Sequence, residues 1–282
     1  GRRVDSVEAS QVGTGQIGTC YRLALTGDDV PASVLVKLPA ADQATRDLLG
    51  GAYRGELIFY SDIAPTVGVR VPAIHYAEMA PGASEFVLVM EDLAPAQQGD
   101  QIAGCTVEQA HDAVVNLAGL HGPRWSDPTL HDFDHISTQG PDDAALLAEL
   151  AGPTTELFID GLGDLISPED QVTLREVVGV LESWSLARSE RFGLVHGDYR
   201  LDNLMFHPDG AHGSVALDWQ TLSLGLPARD LAYFVGTSLD PETRRGAERD
   251  LVAAYHAALT AYGVEGYSLE ECWEDYCFAM VQ

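Results

Sequence analysis

Asp198 stands five residues ahead of Asn203 in the run Leu194-Val195-His196-Gly197-Asp198-Tyr199-Arg200-Leu201-Asp202-Asn203-Leu204-Met205-Phe206. This is a polar loop with apolar, strand-like residues on either side. A second apolar run, Val215-Ala216-Leu217-Asp218-Trp219, follows closely and carries another carboxylate. A carboxylate beside an acceptor hydroxyl positions it and takes its proton late in a phosphoryl transfer. An amide oxygen and a second carboxylate are hard donors of the kind magnesium takes, with water and phosphate completing its shell. In this layout Asp198 is the base, and Asn203 and Asp218 are the magnesium ligands. His196 reads as a brace for the loop rather than a base, and Arg200 and Asp202 as loop-surface or substrate-side residues. Asp230 opens a helix in Pro227-Ala228-Arg229-Asp230-Leu231-Ala232. It serves there as an N-terminal carboxylate or as an acceptor for catalytic-loop N–H groups.

The elements that must hold a nucleotide against this loop come earlier in the chain. Gly13, Gly15 and Gly18 form a GxGxxG pattern, which alone is no more than a glycine-rich turn. A dinucleotide fold would open a helix directly after it. Here Cys20-Tyr21-Arg22-Leu23 continues as a strand, and strand-glycines-strand is the arrangement that folds over ATP phosphates. Lys37 lies inside the apolar strand Val34-Leu35-Val36-Lys37-Leu38. It either snorkels from an edge strand or takes an anionic partner, because an unpaired buried ammonium is costly. Glu56, in the helix expected over 42–63, is the candidate partner, and the order loop, Lys, helix Glu favours pairing. Met90 and Glu91, at the end of the strand 86–90, fall where a hinge presents backbone groups to adenine. The side chains of Glu91 and Asp92 face solvent or substrate.

The remaining pattern predicts an α+β chain. A hairpin spans Cys20 to Leu38 through Thr26-Gly27-Asp28-Asp29, and strands at 73–77 and 86–90 flank the turn Pro81-Gly82. Thr106 and Gln109 form a capping box, and helices follow at 142–151, 154–165, 168–191, 227–237, 241–262 and 268–282. The expected division is a β-rich lobe, 1–93, and a helical lobe, 94–282, with a cleft between them. The chain ends in the apolar pattern Phe278-Ala279-Met280-Val281-Gln282 with no C-cap, so further sequence is expected beyond it.

With 16 Lys and Arg against 43 Asp and Glu, a net charge of −27, no basic stripe exists to neutralise nucleic-acid phosphates. The apolar stretches are strand-sized, too short for a bilayer. Four scattered cysteines read as reduced thiols in a cytoplasmic protein. His121, His131 and His135 match no zinc spacing. The chain has no GxSxG elbow and no Cys with a nearby His, so hydrolase chemistry has little support. Trp125, Trp184, Tyr233, Trp273 and Tyr276 are either core or pocket.

His196-Gly197-Asp198 to Asn203, then Leu217-Asp218-Trp219, resembles the aminoglycoside phosphotransferase and choline kinase superfamily. Glu56-Leu57-Ile58-Phe59-Tyr60 and Met90-Glu91-Asp92-Leu93 resemble its ecdysteroid-kinase-like branch. The resemblance implies a protein-kinase-like two-lobed fold and transfer of the ATP γ-phosphate, with Mg2+, to a small-molecule hydroxyl. It makes Asp198 the base, Asn203 and Asp218 the metal ligands, Lys37 the phosphate contact and Glu56 its partner. Protein kinases are less similar: Gly197 stands where they have Arg, Trp219-Gln220 replaces Phe-Gly, and no Ala-Pro-Glu follows. The competing expectation is a non-catalytic kinase-like protein that binds a nucleotide or metabolite.

Overall fold

The computed structural model describes residues 3–13, 18–82, 84–134, 136–210 and 213–281. Gly15 and His135 therefore lie outside the described residues. Strands β1 (Arg3–Val12), β2 (Gly18–Asp28), β3 (Ser33–Pro39), β4 (Ile74–Met79) and β5 (Phe86–Glu91) form an antiparallel sheet in the order β1-β2-β3-β5-β4. Cys20 pairs with Lys37 and Lys37 with Leu88; Arg22 pairs with Leu35 and Leu35 with Met90. Directly paired residues share a face, and the face repeats every second residue. That register puts Cys20, Arg22, Leu35, Lys37 and Met90 on one side of the sheet.

Helix α1 (Gln43–Ile58) crosses between β3 and β4, its first turn capped by the Asp42 carboxylate accepting from the Thr45 N–H. The helix expected over 42–63 stops at Ile58, and a wide turn, Phe59–Ile63, continues it. Phe59 at the start of that turn stacks on Trp219, ring centroids 3.5 Å apart and planes 9° from parallel. This stack joins the sheet-side helix to the catalytic segment within one continuous buried core.

After β5 the chain leaves the large sheet. β6 (Gln97–Gln98) pairs instead with β8 (Leu204–Phe206), which pairs with β9 (Ser214–Ala216). A second small ribbon joins β7 (Gly193–Val195) to β10 (Ser223–Gly225). Helices α2 (Val107–His121), α3 (Pro141–Leu162), α4 (Pro168–Ser185), α5 (Ala228–Ser238), α6 (Pro241–Ala261) and α7 (Leu269–Ala279) make up the rest. The capping box of Thr106 and Gln109 opens α2.

Two helix expectations need correction. The segments 142–151 and 154–165 are one helix, α3, with Pro153 inside it. Proline removes one N–H, but Glu149, whose carbonyl would have accepted it, is an exposed residue, so the helix continues through Pro153 on its solvent side. The helix expected over 168–191 ends at Ser185. Among the described residues no helix is long and apolar enough to cross a membrane.

Candidate active site

The loop between β7 and β8 is built on one buried carboxylate. Asp230, at the start of α5 and fully buried, accepts from the His196 N–H at 2.6 Å and the Gly197 N–H at 2.9 Å. The His121 ring, equally buried, lies 3.3 Å from the same carboxylate through Nε2. Of its two readings from sequence, Asp230 thus takes the second. Gly197 has φ +79°, and a Cβ there would meet the Thr221 carbonyl oxygen at 2.8 Å, so only glycine fits. His196 Nδ1 accepts from the Asp198 N–H at 3.3 Å, which puts the ring proton on Nε2, 2.9 Å from the Leu217 carbonyl oxygen it donates to. His196 is therefore a strut between the Asp198 loop and the Asp218 segment.

Asp198 is partly exposed, with its two oxygens held differently. The Asn203 side-chain amide donates at 2.8 Å both to the Asp198 carbonyl and to Oδ2, and the Tyr233 hydroxyl donates to Oδ1 at 3.2 Å. Burial pushes the Tyr233 phenol up, and the Asp198 carboxylate raises it further, so it stays a donor. Because the Asn203 N–H groups point at Asp198, its Oδ1 is the atom left for a cation. Asp218 follows β9 in a left-handed conformation, φ 63°, uncommon for a residue with a side chain. That turn sets its Oδ1 3.3 Å from Lys37 Nζ.

Lys37 Nζ donates to both oxygens of Glu56 at 2.8 Å, and the Glu56 side chain is 1% exposed. Burial works against the lysine charge, but Glu56 and Asp218 outweigh it and hold its pKa above the ordinary value. Gln220 Nε2 adds a third bond to Glu56, at 3.2 Å to Oε2. At the hinge, Asp92 accepts from Arg22 Nε at 2.7 Å, Arg22 Nη2 at 3.0 Å and Ser33 Oγ at 2.6 Å.

Two cavities meet at these residues. One, of about 300 Å³, is mainly apolar; Leu35, Met90, Leu93 and Leu217 line it together with Lys37 and Asp218. The other, of about 580 Å³, is polar and lined by Gln98, Gly99, Asp100, Arg200, Asp202 and Asn203. Gln98, Asp202 and Asn203 belong to both and mark the junction. The first suits a planar base with its phosphates directed toward Lys37. The second suits a polar acceptor; Asp198 lines neither cavity and adjoins them through its bond to Asn203.

The donor set fits magnesium. Asp218 and Asn203 offer hard oxygens, and no group of three His, Cys, Asp or Glu side chains placed to hold a metal exists among the described residues. A two-residue site completed by phosphate and water is what magnesium takes.

Not every expected contact lies at the cavity. Gly13, φ +72°, lines it, but Gly18 does not. A Cβ on Gly18 would meet the Leu38 carbonyl oxygen at 2.8 Å, so this glycine serves strand packing. Glu91 is also outside the lining. Its N–H donates to the Ala73 carbonyl at 2.8 Å and its carboxylate accepts from the Ala73 N–H at 3.1 Å, turning it away from the pocket. Met90, Asp92, Leu93 and Ala94 form that edge instead. Trp125, Trp184 and Trp273 pack against Tyr267, Phe278 and Tyr276. Tyr233 alone of the five aromatics reaches Asp198, and neither its role nor that of Gln220 was legible from spacing.

Comparison with known proteins agrees with this geometry. The profile of APH, the phosphotransferase enzyme family, matches residues 9–267. Acyl-CoA dehydrogenase family member 10 of Mus musculus is 54% identical over 100 residues, 34% of this chain and 8% of that protein. Acyl-CoA dehydrogenase family member 11 of Homo sapiens is 49% identical over 41 residues, 14% of this chain and 5% of that protein. The chain thus matches only a small part of these curated relatives. Among solved structures, choline kinase from Cryptosporidium parvum Iowa II superposes with TM-score 0.61 at 10% identity, covering 98% of this chain and 81% of that one. The GDP complex of aminoglycoside 2'-phosphotransferase-IIIa superposes with TM-score 0.54 at 16% identity, covering 99% and 84%. These neighbours share the kinase-like fold.

Proposed function

The chain belongs to the phosphotransferase enzyme family, and from that premise we propose that it moves the γ-phosphoryl group of ATP onto a hydroxyl of a small molecule. The observation that carries this reading is the junction of the two cavities. Lys37 and Asp218 stand on its nucleotide side, Asn203 at the crossing and Asp198 beside the polar cavity. In this reading residues 1–93 and 94–282 act as two lobes that close on the nucleotide.

Lys37, held by Glu56, would bind phosphate oxygens as a fixed cation. Asp218 and Asn203 would hold magnesium, which when bound neutralises charge on the phosphates. Asp198, its carboxylate oriented by Asn203 and Tyr233, holds the acceptor hydroxyl in line and takes its proton as the new O–P bond forms. Catalysis of this kind is mostly positioning and electrostatics. The acceptor classes to screen are amino alcohols, amino sugars and steroids. Hydroxyacyl thioesters join them because the sequence relatives carry an acyl-CoA dehydrogenase name.

The test is thermal unfolding with a non-hydrolysable ATP analogue, with and without magnesium, and with the GTP analogue in parallel. At about a hundred times its Kd a ligand adds roughly 2.7 kcal/mol, a rise in Tm on the order of 5 to 10 °C for a chain of this size. A magnesium-dependent rise is expected. No rise at millimolar nucleotide overturns the reading, and binding without turnover across the screen points to the non-catalytic alternative.

A further inference from the structure

Resting on the phosphoryl-transfer reading above, we propose that Arg200 is a catalytic residue whose guanidinium meets the phosphoryl group in transit. Arg200 stands two residues after Asp198 and lines the polar cavity next to Asn203. Its Nη2 donates to Asp202 Oδ2 at 2.6 Å. Asp202 is itself fixed, because its Oδ1 accepts from the Gln101 N–H at 3.1 Å. The guanidinium is thus clamped at one end.

At the other end Nε lies 3.8 Å from Asp198 Oδ1, beyond hydrogen-bond reach. That Nε is buried and has no hydrogen-bond partner. A buried donor left unpaired is costly, and of the arginines with such an Nε among the described residues, Arg46, Arg200, Arg229 and Arg244, only Arg200 lines either cavity. Packing does not require it here, since the rest of the side chain borders an open cavity. A donor without a ground-state partner, fixed beside the base and the crossing of the two cavities, is placed to gain one during the reaction.

The other cations that line the cavities have different tasks. Arg22 is bonded to Asp92 at the hinge, and Lys37 is bonded to Glu56 on the nucleotide side. Arg200 alone faces the acceptor side among the described lining residues.

In the transfer, the acceptor oxygen forms its bond to the γ-phosphorus while the bond to the β,γ-bridging oxygen breaks. The electron pair leaves with ADP, and the hydroxyl proton passes to Asp198. Charge is spread over the three equatorial oxygens as this happens. A donor that pairs with them only then lowers the barrier without tightening ground-state binding.

The test needs no acceptor. Affinity for MgADP is measured by calorimetry on the full chain, with and without aluminium fluoride, which mimics the phosphoryl group in flight. The proteins are wild type, Arg200→Gln and Arg200→Lys. We expect all three to bind MgADP alike and the wild type to bind more tightly with aluminium fluoride, by on the order of 10²-fold. Arg200→Gln should lose most of that gain. Arg200→Lys, which keeps the charge without the fork, should keep part of it and serves if the Gln variant does not fold.

An undiminished gain in Arg200→Gln overturns the proposal. So does a loss of MgADP affinity in Arg200→Gln as large as its loss with aluminium fluoride, and so does a wild type that binds MgADP but gains nothing. A wild type that fails to bind MgADP is a distinct result: it removes the nucleotide reading and this proposal with it.

Discussion

The two sides of the active cleft are built by opposite means. On the nucleotide side one charged pair is buried in regular structure: Lys37 is on β3, Glu56 on α1, and their side chains are 12% and 1% exposed, while Asp218 beside them is 40% exposed. On the acceptor side no charge is buried: the Asp198, Arg200 and Asp202 side chains are each 37% exposed. A buried charge has to find its complement within the protein, so the Lys37–Glu56 pair is closed and self-satisfied. An exposed carboxylate can leave part of its bonding to a substrate. The comparison teaches that one side supplies binding common to a nucleotide and the other leaves room for a particular acceptor.

Three substitutions sharpen or break that contrast, in order of size. Asp198→Asn keeps the shape of the loop but removes the proton acceptor, so transfer should fall on the order of 10²- to 10⁴-fold while MgADP affinity holds. Steady-state kinetics beside calorimetry separates the two, and an equal loss in both would mean that the acceptor side also carries nucleotide binding.

Lys37→Ala leaves Glu56 buried with only Gln220. Breaking a buried pair from one side costs about 3–5 kcal/mol, a fall in Tm on the order of 10 °C, with weaker nucleotide binding besides. A shift within error would show that the pair is solvated, and the contrast would lapse.

Asp92→Asn has the smallest effect and reports on the hinge. Burial raises the pKa of Asp92, but the Arg22 and Ser33 hydrogen bonds outweigh that and hold it below the ordinary aspartate value. A depressed carboxylate stabilises the fold above its unfolded pKa and loses that contribution as pH falls through the folded one. The variant should therefore be less stable by about 1–2 kcal/mol at neutral pH. The gap should close below about pH 4, as read by thermal unfolding across pH. A gap that does not change with pH would mean that the amide's geometry, not the lost charge, is responsible.

How far the sequence carried differs between the same regions. Lys37, Glu56, Asp198, Asn203 and Asp218 were legible because their types and order recur wherever phosphates and magnesium must be held; Lys37, Glu56, Asn203 and Asp218 line one cavity, and Asp198 adjoins it through its bond to Asn203. Gly18 and Glu91 were misjudged as cavity residues. A glycine pattern does not distinguish phosphate approach from strand approach, and a strand-end carboxylate can turn either way. The helices expected over 142–151 and 154–165 are one, because the N–H missing at Pro153 is local information whereas its toleration depends on what surrounds the helix. Tyr233 was open between core and pocket, and Gln220 and the Arg22–Asp92 bond had no signal at all: their partners are 35, 164 and 70 residues away in sequence.

The sequence by itself determined the family pattern and which atoms could hold a proton, a phosphate or a hard cation, since side-chain type and short spacing decide these. It also determined the strand and helix patterns, because their periods of two and 3.6 residues are local properties of the backbone. Tertiary structure alone decided which hydrogen bond each group makes: that Asp230 carries the catalytic loop, that Tyr233 and Asn203 share Asp198, and that Arg200 keeps an unpaired donor beside it. Such contacts join residues far apart in the chain, and only packing fixes their distances and directions.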